Sequence, residues 1–197
     1  MFIHRGFFDK YRLSNSRLII REGYHRTDSF SSRAIPSGCG TSVFISHKHS
    51  DLKDLEGLIE FLRKHYHAIP YLDCLDDEMP LETCAATADR IKQVIEFCPK
   101  FILFATEDAL SSRWCNWEVG IADKWKLPTC DMAIFPLLDR GVKQKDYKGN
   151  EYLQLYPFID LVKSDNGKAR YFIVRFPEQS GRKSVRLSDW FNNVILD

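Results

Sequence analysis

The chain has 197 residues, 28 Lys and Arg against 27 Asp and Glu for a formal net charge of +1, and 44% hydrophobic and 28% charged residues. That balance belongs to a globular domain; it excludes a disordered chain and a membrane-embedded one, and no basic run is long or aromatic-interleaved enough for a nucleic-acid track. Six cysteines (Cys39, Cys74, Cys84, Cys98, Cys115 and Cys130) are scattered with no CxxC or paired ligand spacing, which predicts reduced thiols in a cytoplasm and no zinc site. No stretch approaches 18 apolar residues, and no leader-like apolar core follows the first residues, so neither a membrane span nor export is expected.

In chain order, residues 1 to 40 read as an N-terminal extension, with Phe2, Ile3, Phe7, Phe8, Leu18, Ile19 and Ile20 as packing material. A short strand is expected at Arg17 to Arg21, and the polar run SFSSRAIPSGCG that follows reads as a linker or exposed loop. The character changes at Thr41: TSVFIS is a short apolar run suited to a strand buried on both faces, Ser42 to Ser46. After the loop HKHSD, Ser50 can cap a helix reaching Tyr66, with Leu52, Leu55, Leu58, Ile59 and Leu62 on one stripe. AIPYLDC supplies a second strand, LDDEMPLET an acidic loop, and Thr83 to Phe97 a helix with Ala88, Ile91, Val94 and Ile95 inward. KFILFAT is a third strand, Ser111 to Lys126 a third helix, and MAIFPLL a fourth strand ahead of the polar segment DRGVKQKDYKGNE.

Such alternation predicts a domain over residues 41 to 160 of the α/β class, a doubly wound parallel sheet covered on both faces. Residues 161 to 197 read as an elaboration packed on it, with YFIVRF as a half-exposed strand and SDWFNNVIL as a closing helix capped by Ser188. In this architecture ligands sit at the carboxyl ends of the strands, so the loops HKHSD, DCLDDEMP and TEDALSS should gather around one site.

The segment SSRWCNWEVGIADKWK breaks a packing rule. Trp114, Trp117, Ile121, Ala122 and Trp125 fall at offsets 0, 3, 7, 8 and 11, one apolar stripe, and Glu118 at offset 4 lies within it. A carboxylate there needs a partner, a raised pKa or a polar ligand; both a ligand site and a buried pair with a distant arginine satisfy the pattern. Ser111 or Ser112 can cap this helix, and Pro128 marks its end. Cys115 points about 100° away from Trp114 and reads as structural. His47 and His49 with Asp51 lack a further ligand of suitable spacing, so no metal is expected.

Three motifs in register carry a resemblance. VFISHKHSD resembles the first box of Toll/interleukin-1 receptor (TIR) domains, AIPYLDC with its acidic loop looks like their second strand and BB loop, and SRWCNWE is similar to the Trp-Cys-x-x-Glu motif of the enzymatic members. The likeness covers Thr41 to Asp139 and looks most like free-standing prokaryotic TIR proteins, for example of the Thoeris antiphage type. It implies a flavodoxin-like fold and, with NAD as substrate and no cofactor, cleavage of the nicotinamide to ribose bond. The products would be nicotinamide and ADP-ribose, or a cyclic or conjugated ADP-ribose signal in antiphage defence.

Carried onto this sequence, the resemblance makes Glu118 the catalytic carboxylate and Trp114 a ring beside the nicotinamide or ribose. Ser46, His47 and Lys48 would line the nucleotide site, with Lys48 and His49 toward the pyrophosphate, although many members have Tyr or Arg where this chain has HKH. Asp73 and Glu78 fall where the family makes both ligand contacts and TIR to TIR contacts. Expected partners are NAD, further copies of the chain and a separate effector that reads the product. The chemistry suits one carboxylate: the pyridinium leaves as neutral nicotinamide, so the demand is for an anion where oxocarbenium charge develops. Whether Glu118 acts as nucleophile, base or electrostatic stabiliser stays open, and the alternative reading is a non-catalytic TIR scaffold or a module that interferes with host TIR signalling.

Overall fold

Runs such as SVFIS and MAIFPLL, apolar on both faces, assemble into one sheet that is covered on both sides. The computed structural model describes residues 1–12, 40–73, 84–163, 169–175 and 183–193. The strand expected at Arg17 to Arg21, nearly all of the run after it, Cys39, Cys74 and the acidic loop with Glu78 lie outside the described residues.

The strands are β1 (Ile3–His4), β2 (Ser42–Ser46), β3 (Ile69–Tyr71), β4 (Lys100–Ala105), β5 (Met132–Leu138), β6 (Phe158–Lys163), β7 (Ala169–Arg175) and β8 (Lys183–Arg186). The helices are α1 (Leu52–Tyr66), α2 (Ala85–Phe97), α3 (Glu107–Leu110), α4 (Arg113–Lys126), α5 (Asn150–Leu155) and α6 (Leu187–Phe191). Strand order is β3-β2-β4-β5-β6-β7-β8, parallel from β3 to β6. Counted from β2, the parallel part has the flavodoxin-like order, as the sequence predicts. β7 and β8 continue the sheet antiparallel, and β6 runs straight through residue 160.

The amino-terminal residues join the same sheet. β1 pairs in parallel with the end of β5, Ile3 beside Leu137 and His4 beside Leu138, whereas β6 meets β5 only at Ile134 and Phe158. The Leu161 amide donates to the Met1 carbonyl at 3.1 Å, so β1 lies between the diverging ends of β5 and β6. Phe2, Ile3 and Phe8 are buried as their apolar character predicts.

Each face of the sheet has its own core. On one, α1 and α6 pack Leu55, Leu58, Leu62 and Trp190 against Ile102, Phe104 and Phe135; on the other, α2 and α4 pack Ile91, Val94, Ile95, Val119 and Ala122 against Phe44, Phe101, Leu103 and Ile134. Burial on both faces is why β2, β4 and β5 show no polar alternation.

Several boundaries differ from the expectation. A 3-10 turn at His49–Asp51 precedes α1, so Asp51 occupies its N-cap position, while the Ser50 hydroxyl donates to Asp108 at 3.0 Å. α2 starts at Ala85 rather than Thr83, and Ala88 is only half buried because Thr87 takes the inward position. Ser188 lies inside α6 instead of capping it. β1, β6, β8, α3 and α5 are additional elements, short and carrying little periodic signal of their own.

Gly57 on α1 lies against the N-terminal segment, and a Cβ there would stand 2.4 Å from the Phe8 carbonyl oxygen and 2.6 Å from the Phe8 Cβ. In an open helix Gly→Ala gains about 1 kcal/mol, but here the neighbour is backbone and cannot swing away. Gly57→Ala should therefore lower the melting temperature, by an amount corresponding to about 1–3 kcal/mol, and a thermal melt showing a rise instead would mean that the N-terminal segment does not pack on α1.

Candidate active site

β2 ends at Ser46, and the first residue beyond the core faces α4. Ser46 and Glu118 are 1% and 2% exposed, and the Ser46 hydroxyl donates to Glu118 Oε2 at 2.5 Å. α4 is placed by Ser112, whose hydroxyl accepts the Cys115 amide at 3.4 Å, and by the short α3 before it, which Thr106 caps by accepting the Ala109 amide at 3.0 Å. Ser112 is thus the cap between the two serines considered.

The buried face of α4 is Cys115, Glu118, Val119, Ala122 and Lys126. This corrects the tryptophan stripe: Trp114, Trp117 and Ile121 are half-buried, and Trp125 is exposed. The helix is rolled so that small side chains meet the sheet closely and the bulky rings lie along its flank, where Trp114 and Trp117 pack with centroids 4.8 Å apart. Glu118 and Ala122 fall within both stripes and Trp114 hydrogen-bonds the acid, so Glu118 is found although the stripe is centred one position off and Trp125 lies outside the core. Cys115 lies on the inward face with it; its thiol donates to the His47 carbonyl at 3.3 Å, and burial pushes its pKa up, so it is not a nucleophile.

Burial, and next the charge of Asp73, push the Glu118 pKa up to about 8, against hydrogen bonds from Ser46 and Trp114 that lower it. Among the described residues its contacts are a hydroxyl and an indole rather than a cation, so the distant-arginine alternative has no support. Asp73 follows β3, and its Oδ1 lies 3.9 Å from His47 Nδ1. That nitrogen is also 3.0 Å from the Ile45 carbonyl, which can only accept, so Nδ1 carries the proton. Lys48 and His49 stand exposed on the turn beyond.

Of the residues singled out from the sequence, Ser46, His47, Asp73, Trp114 and Glu118 therefore converge at the carboxyl ends of β2 and β3; Lys48 is at the rim, and Glu78 lies outside the described residues. The sequence reading missed the fixtures underneath. Asp51, 1% exposed, receives Arg5 Nη2 at 2.9 Å and the Thr106 hydroxyl at 2.5 Å, and no periodicity could have joined residues so far apart in the chain. Among the described residues no group of three or more His, Cys, Asp or Glu side chains could hold a metal ion, and no helix is long and apolar enough to cross a membrane.

A parallel sheet of this order with a buried acid and a tryptophan at its carboxyl edge defines a class, and the chain belongs to it: the TIR domain family, whose model matches residues 43–173. Among characterised proteins it is similar to the probable 3' cyclic ADP-D-ribose synthase ThsB' of Bacillus cereus (strain MSX-D12), with 25% identity over 157 residues, 75% of this chain and 79% of that protein.

The raised Glu118 pKa has a thermodynamic signature. Between the ordinary value of 4.5 and about 8 the folded state holds a proton that the unfolded state has released, so this group's contribution to stability falls as pH rises through that window. Glu118→Gln does not titrate. Its melting temperature should match wild type near pH 4 and exceed it increasingly toward pH 8; a difference that stays constant with pH would show that Glu118 titrates normally.

Proposed function

We propose that the chain is an NAD-consuming enzyme with Glu118 as its catalytic carboxylate. The observation that carries the reading is an acid 2% exposed, held among the described residues by a serine rather than by a cation, at the strand ends where this architecture binds ligands. Likeness to a protein named as a cyclic ADP-ribose synthase supports it.

In the reaction, the bond between the ribose carbon and the pyridinium nitrogen breaks, and its electron pair leaves with nicotinamide, which becomes neutral. The sugar carbon becomes an oxocarbenium centre, which the ionised Glu118 stabilises in a site shielded from water. A hydroxyl then attacks that carbon, and its proton passes to the Glu118 carboxylate. When the hydroxyl belongs to the same substrate molecule the product is a cyclic ADP-ribose, and when it belongs to water the product is ADP-ribose. We favour the cyclic product, acting as an antiphage signal read by a separate effector. Trp114 lies flat against the nicotinamide or ribose, Ser46 and His47 line the nucleotide, Lys48 reaches toward the pyrophosphate, and Asp73 with Glu78 contributes to ribose contacts and to association between copies.

The proton on Glu118 in the empty site is an obstacle that the substrate removes. A pyridinium cation placed beside the carboxyl favours the charged form and offsets the burial that raised its pKa. Because kcat/KM follows the free enzyme, it should rise with pH through a midpoint near 8, the value that burial and Asp73 give Glu118. A flat profile from pH 6 to 9 would contradict an ionised Glu118.

The decisive experiment incubates concentrated protein with NAD and follows nicotinamide release, with mass spectrometry of the second product, since the cyclic form is lighter than ADP-ribose by one water. Glu118→Gln should lose at least about a hundredfold in rate while remaining folded. Turnover that survives the substitution would remove Glu118 from the chemistry, and a wild type silent at every concentration would favour a scaffold.

A further inference from the structure

Arg5 lies outside the residues that the family match covers, yet its guanidinium sits under the site. Nη2 donates to Asp51 Oδ1 at 2.9 Å, Nη1 to Asp54 Oδ2 at 3.1 Å and Nε to Asp139 Oδ1 at 2.5 Å. Its own amide donates to the Leu138 carbonyl at 2.8 Å as an extension of the β1–β5 pairing, and the next amide, Gly6, donates to Asp54 Oδ1 at 2.9 Å. One side chain thus ties the segment after β2 to the end of β5. Through Asp51, which also takes the Thr106 hydroxyl at 2.5 Å, the tie extends to the end of β4.

What this holds is the turn that carries the site. The Asp51 amide donates to the Lys48 carbonyl at 2.8 Å, closing the Lys48–Asp51 turn that follows Ser46 and His47. Ser46 at its start bonds Glu118, and the His47 carbonyl accepts the Cys115 thiol of α4. A buried Asp51 with no cation would draw in water or turn outward, and either motion pulls on the turn that sets the Ser46 to Glu118 contact. We propose that Arg5 is a positioning residue for the site: it holds Asp51, whose amide holds the Lys48 carbonyl, and from Lys48 the backbone runs through His47 to Ser46 beneath Glu118. The functional part of this inference rests on the NAD-cleaving reading.

Two charge-neutral perturbations test it. Arg5→Lys keeps one positive charge but cannot span three carboxylates, and Thr106→Val removes the hydroxyl on the other oxygen of Asp51 without changing any charge, although the α3 cap loses that hydroxyl as well, so this variant counts only beside Arg5→Lys. The primary readout is the Glu118 titration by carbon NMR of protein labelled at the glutamate carboxyls, its resonance identified by loss in Glu118→Gln. Among the described residues, the titratable groups that act on Glu118 or feel its charge are Asp73 after β3 and Cys115 on its own helix, neither of them altered. Because the Ser46 hydrogen bond lowers the Glu118 pKa, loosening it should move the midpoint upward by at least about half a pH unit in both variants. In the same proteins kcat for nicotinamide release should fall about tenfold or more, with KM changed by less than about threefold.

A variant with a lowered melting temperature but an unmoved midpoint and kcat within about twofold of wild type would reduce Arg5 to a structural brace and overturn the proposal. If Arg5→Lys does not fold, Asp139→Asn decides, since it removes the carboxylate at Arg5 Nε and leaves the Thr106 cap of α3 in place. If wild type releases no nicotinamide, the enzymatic reading fails on its own, and the titration still decides whether Arg5 sets the environment of Glu118.

Discussion

Two carboxylates are kept out of water next to the end of β2, and they are treated in opposite ways. Asp51 is given a guanidinium and a hydroxyl; among the described residues, Glu118 is given a hydroxyl and an indole but no cation. Burying an ion is tolerable only when it is paired and hydrogen-bonded, so the first arrangement locks and the second stays poised. Much of the local architecture follows from that asymmetry. β1 is carried into the sheet between β5 and β6, which delivers Arg5 to Asp51, and α4 is rolled so that Glu118 rather than a tryptophan faces β2. The lock is made by residues that pack for stability, and the poised acid is what remains available to a ligand.

The same contrast explains what could be read from the sequence. The strands at residues 42–46, 100–105 and 132–138, the helix over residues 113–126 and the burial of Glu118 were legible because each is a local signal: an apolar run, a capping serine, an acid among apolar neighbours. The orientation of α4 was not. Two stripes about one residue apart on this helix share Glu118 and Ala122, and hydrophobicity favours the one with the tryptophans, while close packing on a sheet favours Cys115, Val119 and Ala122. Likewise β1 and β8 are too short for a periodic pattern, and their existence depends on a sheet edge that only the folded chain supplies. Arg5 was invisible for the same reason: its partners, Asp51, Asp54 and Asp139, are distant in sequence and carry no motif in common.

Family resemblance covered the part that periodicity could not. The motif SRWCNWE named Trp114 and Glu118 as neighbours of a site, and the structure brings Ser46, His47 and Asp73 to the same place. The departure at HKH has a visible consequence. His47 turns back onto the Ile45 carbonyl and its side chain is only 3% exposed, so its part in the site is to shape the wall, whereas Lys48 and His49 project outward where an anionic substrate would enter. On the proposed NAD-cleaving reading, electrostatic contact with the pyrophosphate would suit the exposed pair better than the buried ring.

On the proposed reading, the poised state of Glu118 also bears on which nucleotide the site would process. Burial makes the empty carboxyl reluctant to ionise, and Asp73 adds to that reluctance. Only a ligand bringing positive charge to within a few ångströms can offset both effects, and the pyridinium of NAD does so, whereas the reduced, uncharged dihydropyridine of NADH does not. The oxidised ring is at the same time the better leaving group, because departure neutralises it. Recognition and reactivity then draw on one charge: the cation that ionises Glu118 on binding is the cation that disappears as the bond breaks, leaving its counterion to meet the oxocarbenium centre formed in its place.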